Sequence, residues 1–532
     1  MSRCQIGKGL LAHQGDPAIV PAMNSADSEG RRSAAQEAAL DNPFDIDEGP
    51  EGLKQRSVRG SFVTVLSQAV KMAIQLGSQI ILARLLFPAE FGLLAMAYPV
   101  LAFVQVFNDI GLGQAIIQRP TLVPAQVSAL FWVNLAISCT LACAVALLSP
   151  VASWVYGEPQ LIGILLALSL TLPIAATSIS PAALLARQMR FGVMARNEVI
   201  AMMAGAGTAI LCAWSGLSYW SLVIGQFANV VTTNILVWRS SSWRPSAPVF
   251  NTAVWNDVKF GGNLTLSNLA TFVTTMGANV VVGLTTGKVS LGLYDRSYNL
   301  VVRPIGQMMA PLSRVAVPLL SRLAHQSDEY RTTYLQIFRI AVLLVVPGML
   351  VCIANAPALI DILLGDRWRE AAPIFAWICV GGLTSSIYLS AYWLFVSQGR
   401  ASELRNFSIL AAVINLSSYI IGSWWGVIGL VMASSLVFVF ITTPLMLYCA
   451  SRSGPVRLAD LIQCAVPFIV VGLAVYAVLW FGVASLGLHG LVQIVLATIL
   501  SYLLFIGLSL FSPSNRRLLQ AGLRSLKGLL PA

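Results

Sequence analysis

Charge is scarce in this chain. Only 10% of its 532 residues are Asp, Glu, Lys or Arg, where a soluble globular chain carries about a quarter. That shortage excludes an ordinary water-soluble fold. With 57% hydrophobic residues and a mean hydropathy of +0.77, the composition belongs to the membrane class. Histidine is nearly missing: His13, His325 and His489 are the whole set, and none stands at metal-ligand spacing. The eight cysteines (Cys4, Cys139, Cys143, Cys212, Cys352, Cys379, Cys449 and Cys464) contain no CxxC pair and lie mostly in apolar runs. That argues against a zinc site and a disulfide framework. Cys139 and Cys143, at i and i+4, read as small packing residues. GxxxxGK[ST] is missing, as is a nucleophile elbow, so neither a nucleotide engine nor a catalytic constellation is expected. No cofactor or metal follows from the residues. The net charge of +11 does not indicate nucleic acid, because the basic residues are spread thinly along loops, as the positive-inside rule predicts.

What the chain has in excess is long apolar runs. A spanning helix needs about 20 such residues. Fourteen candidates follow residue 60: 61–83, 91–115, 127–149, 161–184, 197–214, 219–238, 260–283, 291–311, 335–354, 372–396, 406–423, 427–449, 463–483 and 489–510. The seventh and eighth are rich in Thr, Asn and Gly and should face protein or water rather than lipid. Residues 1–55 are polar and acidic and read as a disordered cytoplasmic tail without a cleavable signal peptide. With the N-terminus in the cytoplasm, basic residues collect in every inner segment, from Lys54, Arg56 and Arg59 to Arg516, Arg517, Arg524 and Lys527. The outer side holds only Arg84, Lys288, Arg367 and Arg369. Both termini are then cytoplasmic. The loops are short, the longest expected at 312–334 and 355–371, and no soluble domain interrupts them.

The two halves echo each other. Phe91-Gly92-Leu-Leu94 matches Leu291-Gly292-Leu-Tyr294, and Pro150 followed by Trp154-Val-Tyr-Gly157 matches Pro357 followed by Ile362-Leu-Leu-Gly365. Arg196-Asn197 matches Arg405-Asn406, and Trp214-Ser-Gly-Leu217 matches Trp424-Trp-Gly-Val427. An even number of spans per copy gives both copies one orientation, related by an axis along the membrane normal. The expected fold is an all-α polytopic membrane protein with two parallel six-helix bundles at 56–240 and 241–450. Two extra helices at 451–511 and a cytoplasmic tail at 512–532 follow. A cleft between the bundles would open to each side in turn.

The few charges inside the spans are Lys71, Asp109, Asp295, Arg296 and Arg303, with Arg84 at a span end. A charge at the bilayer centre costs about 2.5–3.5 kcal/mol on insertion scales, so such groups normally face a cavity. Gln68, Lys71 and Gln75 form one polar stripe on the first helix, continued by Ser78 and Gln79. Lys71 either binds there or snorkels. Arg84 either contacts substrate or anchors the outer interface, pairing with Glu90. Asp109 either caps its helix or takes part in coupling. Asp295 and Arg296 are adjacent and fall on different flanks, while Arg296 and Arg303 share a face at i, i+7. Two guanidiniums on one face suit an anion's oxygens, or else pair with Asp295 or Asp109. Substrate-contact candidates are therefore Lys71, Arg84, Arg296, Arg303, Gln68 and Gln75. Coupling or gating candidates are Asp109, Asp295, Glu90 and Lys288.

Leu82-Ala-Arg-Leu-Leu-Phe-Pro-Ala-Glu-Phe-Gly92 and Asn108-Asp-Ile-Gly-Leu-Gly-Gln-Ala-Ile-Ile-Gln118 resemble the start of the Wzx-type flippases. These are lipid-linked oligosaccharide transporters of the multidrug/oligosaccharidyl-lipid/polysaccharide exporter superfamily. The likeness continues through Leu291-Gly-Leu-Tyr-Asp-Arg-Ser-Tyr298 and Leu363-Leu-Gly365, covers roughly 57–510, and lies nearest the WzxC-like exopolysaccharide branch. It implies two six-helix bundles in a V around a basic aqueous cavity. It implies a polyprenyl (undecaprenyl) pyrophosphate-linked oligosaccharide as substrate, moved across the bacterial inner membrane, and coupling to H+ or Na+. Polysaccharide polymerase or export machinery are conceivable partners, besides membrane lipid. The rival readings are a cation-coupled multidrug exporter of the same superfamily and a membrane polysaccharide polymerase or ligase. The first needs a cavity dominated by carboxylates, and the second needs catalytic outer loops, which this chain lacks.

Overall fold

Prolines mark where the first helices begin. Pro50, Pro88 and Pro124 open α1 (Pro50–Leu85), α2 (Pro88–Asn108) and α3 (Pro124–Tyr156). At the first helical turn the missing proline N–H has no bond to lose. The structure, a computed structural model, describes residues 50–108, 116, 124–247, 252–480 and 490–509. The expected acidic tail therefore lies outside the described residues except for its end, since α1 is already helical at Pro50. Asp109 also lies outside them.

The chain then runs through α4 (Gln160–Ser169), α5 (Thr171–Arg187), α6 (Phe191–Trp214) and α7 (Trp220–Ser240). Next come α8 (Thr252–Arg322), α9 (Ser327–Ala354), α10 (Ala356–Leu363), a 3-10 turn (Asp366–Trp368) and α11 (Ala371–Ser397). The last elements are α12 (Ala401–Ser423), α13 (Gly426–Val437), α14 (Thr443–Ser451), α15 (Leu458–Val478) and α16 (Leu491–Ser509). A π-helical turn at Phe438–Thr442 joins α13 to α14 just before Pro444. The proline ring cannot continue the regular i→i−4 ladder, and a widened turn absorbs it.

α8 is two arms meeting at one residue. Gly287 (φ 81°) is its single non-helical position, and only glycine takes that conformation without strain. The expected loop between the seventh and eighth spans is thus reduced to a joint. The lower arm carries Pro304, Pro311 and Pro318 and continues to Arg322, so the loop expected at 312–334 shrinks to the few residues before α9. Glycines matched by the repeat also agree in backbone. Gly157 and Gly365 sit at φ 69° and 91°, and Gly216 and Gly426 at 83° and 74°.

Among the described residues nine helical rods are long and apolar enough to cross a membrane, and Pro88–Val104 and Val492–Gly507 are shorter apolar stretches. The chain is a multi-pass, all-α membrane protein. Half of the apolar window of α9 and of α11 is buried within the protein, against 22% for α3, α6 and α12. α9 and α11 are therefore interior helices, and the others leave most of their surface for lipid. Trp393 and Phe395 of α11 and Tyr330, Tyr334 and Phe338 of α9 are fully buried. α15 and α16 lean on α9, where Gln493 donates to Asn355 Oδ1 (3.0 Å), Tyr502 to the Leu344 carbonyl (2.9 Å), and Arg331 pairs with Asp460.

Candidate functional site

α2 and the lower arm of α8 cross at two glycines. A Cβ on Gly92 would run into the Lys288 carbonyl, and one on Gly292 into the Pro88 carbonyl. Each helix thus presses its first turn against the other's glycine, at positions the repeat equates. Small residues let helix backbones approach this closely in a membrane. Phe91, Leu93, Leu94, Ala95, Met96 and Ala97 are all buried beside the crossing.

Helix ends from the two halves cap each other around it. Arg84 Nη2 donates to the Ile362 carbonyl (2.6 Å), in the last turn of α10, and Trp368 Nε1 donates to the Ala83 carbonyl (2.8 Å), in the last turn of α1. Both carbonyls belong to the unpaired set that every helix C-terminus leaves. Trp368 is fully buried and meets Phe91 edge-on (5.4 Å, 64°). Lys288 Nζ, beside the α8 joint, pairs with Glu158 after α3 (2.8 Å). Glu90 works within the first half. One of its oxygens accepts from the Phe87 backbone N–H (2.6 Å) and the other from Ser218 Oγ, which ties the start of α2 to the α6–α7 turn. Arg84 therefore finds a carbonyl of the other half, not Glu90.

Arg296 belongs to this sealed end. Its Nη2 and Nε reach Asp295 Oδ2 (2.6 and 3.1 Å), and its guanidinium lies 4.5 Å from the Phe91 ring centroid. The two side chains are only 11% and 8% exposed. Adjacent residues leave a helix on different flanks, but the long arginine side chain folds back far enough to close the pair. Arg296 is thus held between Asp295 and the Phe91 ring.

Further along, the polar stripe of α1 faces the lower arm of α8. Gln75 and Gln79 line a gap of about 10 Å³ with Asn299, Arg303 and Gln307, closed on its apolar side by Met72, Leu76 and Pro304. Gln307 Nε2 donates to Gln75 Oε1 (3.3 Å), while Gln307 Oε1 is buried without a partner. Arg303 is exposed and lines this gap, about two turns beyond the Arg296 pair. Lys71 pairs with Glu198 of α6 (2.6 Å), and Gln68 is half-buried one turn away. The structure thus gathers Gln75 and Arg303 at one gap, sets Lys71 beside it, and places Arg84, Glu90, Lys288, Asp295 and Arg296 in the seal.

The sequence reading missed Trp368, Glu158, Glu198 and Gln307. Asn299, Arg303 and Gln307 repeat every four residues in an apolar run, and Glu198 adjoins the repeat-matched Arg196-Asn197, so two of these had a visible signal. Trp368 and Glu158 had none, because their partners lie in the opposite half.

Residues 81–373 match the family model described as polysaccharide biosynthesis protein. The chain belongs to that family. It is 22% identical to the lipopolysaccharide biosynthesis protein WzxC of Escherichia coli (strain K12) over 72% of its own length and 79% of the relative's. It is 25% identical to the succinoglycan biosynthesis transport protein ExoT of Rhizobium meliloti (strain 1021), over 63% and 68%. The fold is similar to that of the lipid II flippase MurJ in an inward closed conformation, with TM-score 0.65, 14% identity, and coverage of 84% of this chain and 98% of that one. An inward-facing multidrug resistance transporter of the MATE family follows at TM-score 0.55, with 15% identity over 75% and 99%.

Proposed function

We propose that the chain flips an oligosaccharide linked to a polyprenyl pyrophosphate, of the undecaprenyl type, across the bacterial inner membrane for exopolysaccharide or lipopolysaccharide assembly. The observation that carries this reading is the contrast along the lower arm of α8. At the α2 crossing the arm is held by paired glycines and mutual helix capping, and further along it sets Arg303 and amides opposite α1 around a gap of about 10 Å³. The family, and the transport and flippase names of relatives, supply the class of cargo. Lys71 and Arg303 would meet the pyrophosphate, and Gln68 and Gln75 the sugar, while the isoprenoid stays in lipid. The two six-helix halves at 56–240 and 241–450, with fourteen crossings in all, would rock about the repeat axis. The agreement of Gly157 with Gly365 and of Gly216 with Gly426 supports that repeat. A H+ or Na+ gradient would drive the return, with Asp295 and Asp109 as candidate couplers.

The decisive experiment removes the gene from a strain without a paralogue. Lipid-linked repeat units should accumulate on the cytoplasmic leaflet and polymer should vanish. Unchanged polymer with altered drug susceptibility would favour the multidrug reading instead. Polymerising activity on lipid-linked sugar in detergent would favour an enzyme.

A further inference from the structure

Lys71 is the deep cation of the first half, and its carboxylate partner plays no part in the proposed function. α1 rises about 1.5 Å per residue, so Lys71 lies about 20 Å below the outer end of α1 at Leu85, within the inner half of a hydrocarbon core about 30 Å thick. Its ammonium is 2.6 Å from Glu198 Oε2, with the lysine side chain 19% exposed and that of Glu198 50% exposed. Glu198 lies two turns into α6, near the end expected to be cytoplasmic, and its half-exposed carboxylate leaves the pair open to water on that side. One turn along the same stripe, Gln75 bonds Gln307 of the other half, which places the stripe on the side where the halves meet. No other ion pair of Lys71 exists among the described residues.

We infer that Glu198 is a resident counter-anion, which occupies Lys71 when no substrate is bound and must be displaced by the head group. The inference rests on the head-group role proposed for Lys71. An ammonium at membrane depth is costly without a partner, and a pyrophosphate offers it several charged oxygens in place of two. Glu198 is the better candidate to leave because its own side chain is already half in water. The exchange makes an empty site stable and a filled one reversible. It also predicts that the carboxylate weakens binding, the reverse of what a structural ion pair would do.

The test titrates undecaprenyl pyrophosphate into the purified full-length chain in nanodiscs. Parent, Lys71→Gln, Glu198→Gln, the double variant and Arg303→Gln are compared, with melting temperatures to confirm folding. Glu198→Gln should tighten binding about tenfold, Lys71→Gln should weaken it about tenfold, and the double variant should match Lys71→Gln. Polymer output of Glu198→Gln in cells should fall despite tighter binding, because release is slowed. If Lys71→Gln weakens binding but Glu198→Gln leaves it equal or weaker, the counter-anion role is overturned and the head-group site stands. If neither Lys71→Gln nor Arg303→Gln changes binding, the head-group site itself falls.

Discussion

At Gly92 and Gly292 a single methyl group decides whether the outer end can close, because the opposing atoms are backbone carbonyls that cannot rotate away. Leucine at either position should hold the helices apart. Ala95, now fully buried, should then become reachable from outside. In a cysteine-free background, Ala95→Cys should resist a membrane-impermeant thiol reagent in the parent and react in the Gly92→Leu variant. Equal labelling in both would mean that the crossing is not the barrier. Arg296 and Arg303 separate at the same scale. Arg296→Ala strands a buried Asp295 carboxylate and should cost about 3–5 kcal/mol, as for other broken buried pairs, seen as lost folded yield. Arg303→Ala removes an exposed cation and should leave the melting temperature within a few degrees while export falls well below that of Arg239→Ala. The sequence reading grouped these arginines by their shared helix face. A shared face still leaves them about 10 Å apart along the axis at 1.5 Å per residue, which is why one enters the seal and the other the gap.

At the scale of elements, the sealed end is a set of helix termini that serve each other. Lys288 and Glu158 join the α8 joint to the end of α3 with side chains 34% and 19% exposed. Such a pair is worth about 1 kcal/mol or less in stability, but its place between the halves makes it a latch. Lys288→Glu should lower export about two- to fivefold, and adding Glu158→Lys should restore it; failure of the double variant to recover would leave the pair without a role in closure. The apolar runs, the short α1–α2 junction and the repeat glycines were readable beforehand, because length, hydropathy and turn chemistry are local. The Arg84–Ile362 and Trp368–Ala83 caps were not, because a carbonyl acceptor leaves no mark in a sequence. The loop expected at 312–334 failed for a related reason: Pro318 flanked by Arg314 and Arg322 looks like a helix end, but α8 continues through Pro318 to Arg322.

For the whole molecule, the charge map remains the strongest guide to orientation. Arg516, Arg517 and Arg524 should keep the C-terminus inside, as the inner loops do. Alkaline phosphatase fused after residue 512 should be inactive and a fluorescent protein there should glow, whereas phosphatase fused after Trp214 should be active. The reverse pattern would invert the proposed direction of transport. The lower arm of α8 adds a mechanical consequence. Pro304, Pro311 and Pro318 recur every seven residues, close to two full turns, so all three notches open on nearly the same side. Any bends at these prolines would add in one plane instead of cancelling. The arm is a leaf spring clamped at its glycine end, and release of that clamp would be felt as a sideways sweep of its tip, near Arg322, rather than as a twist.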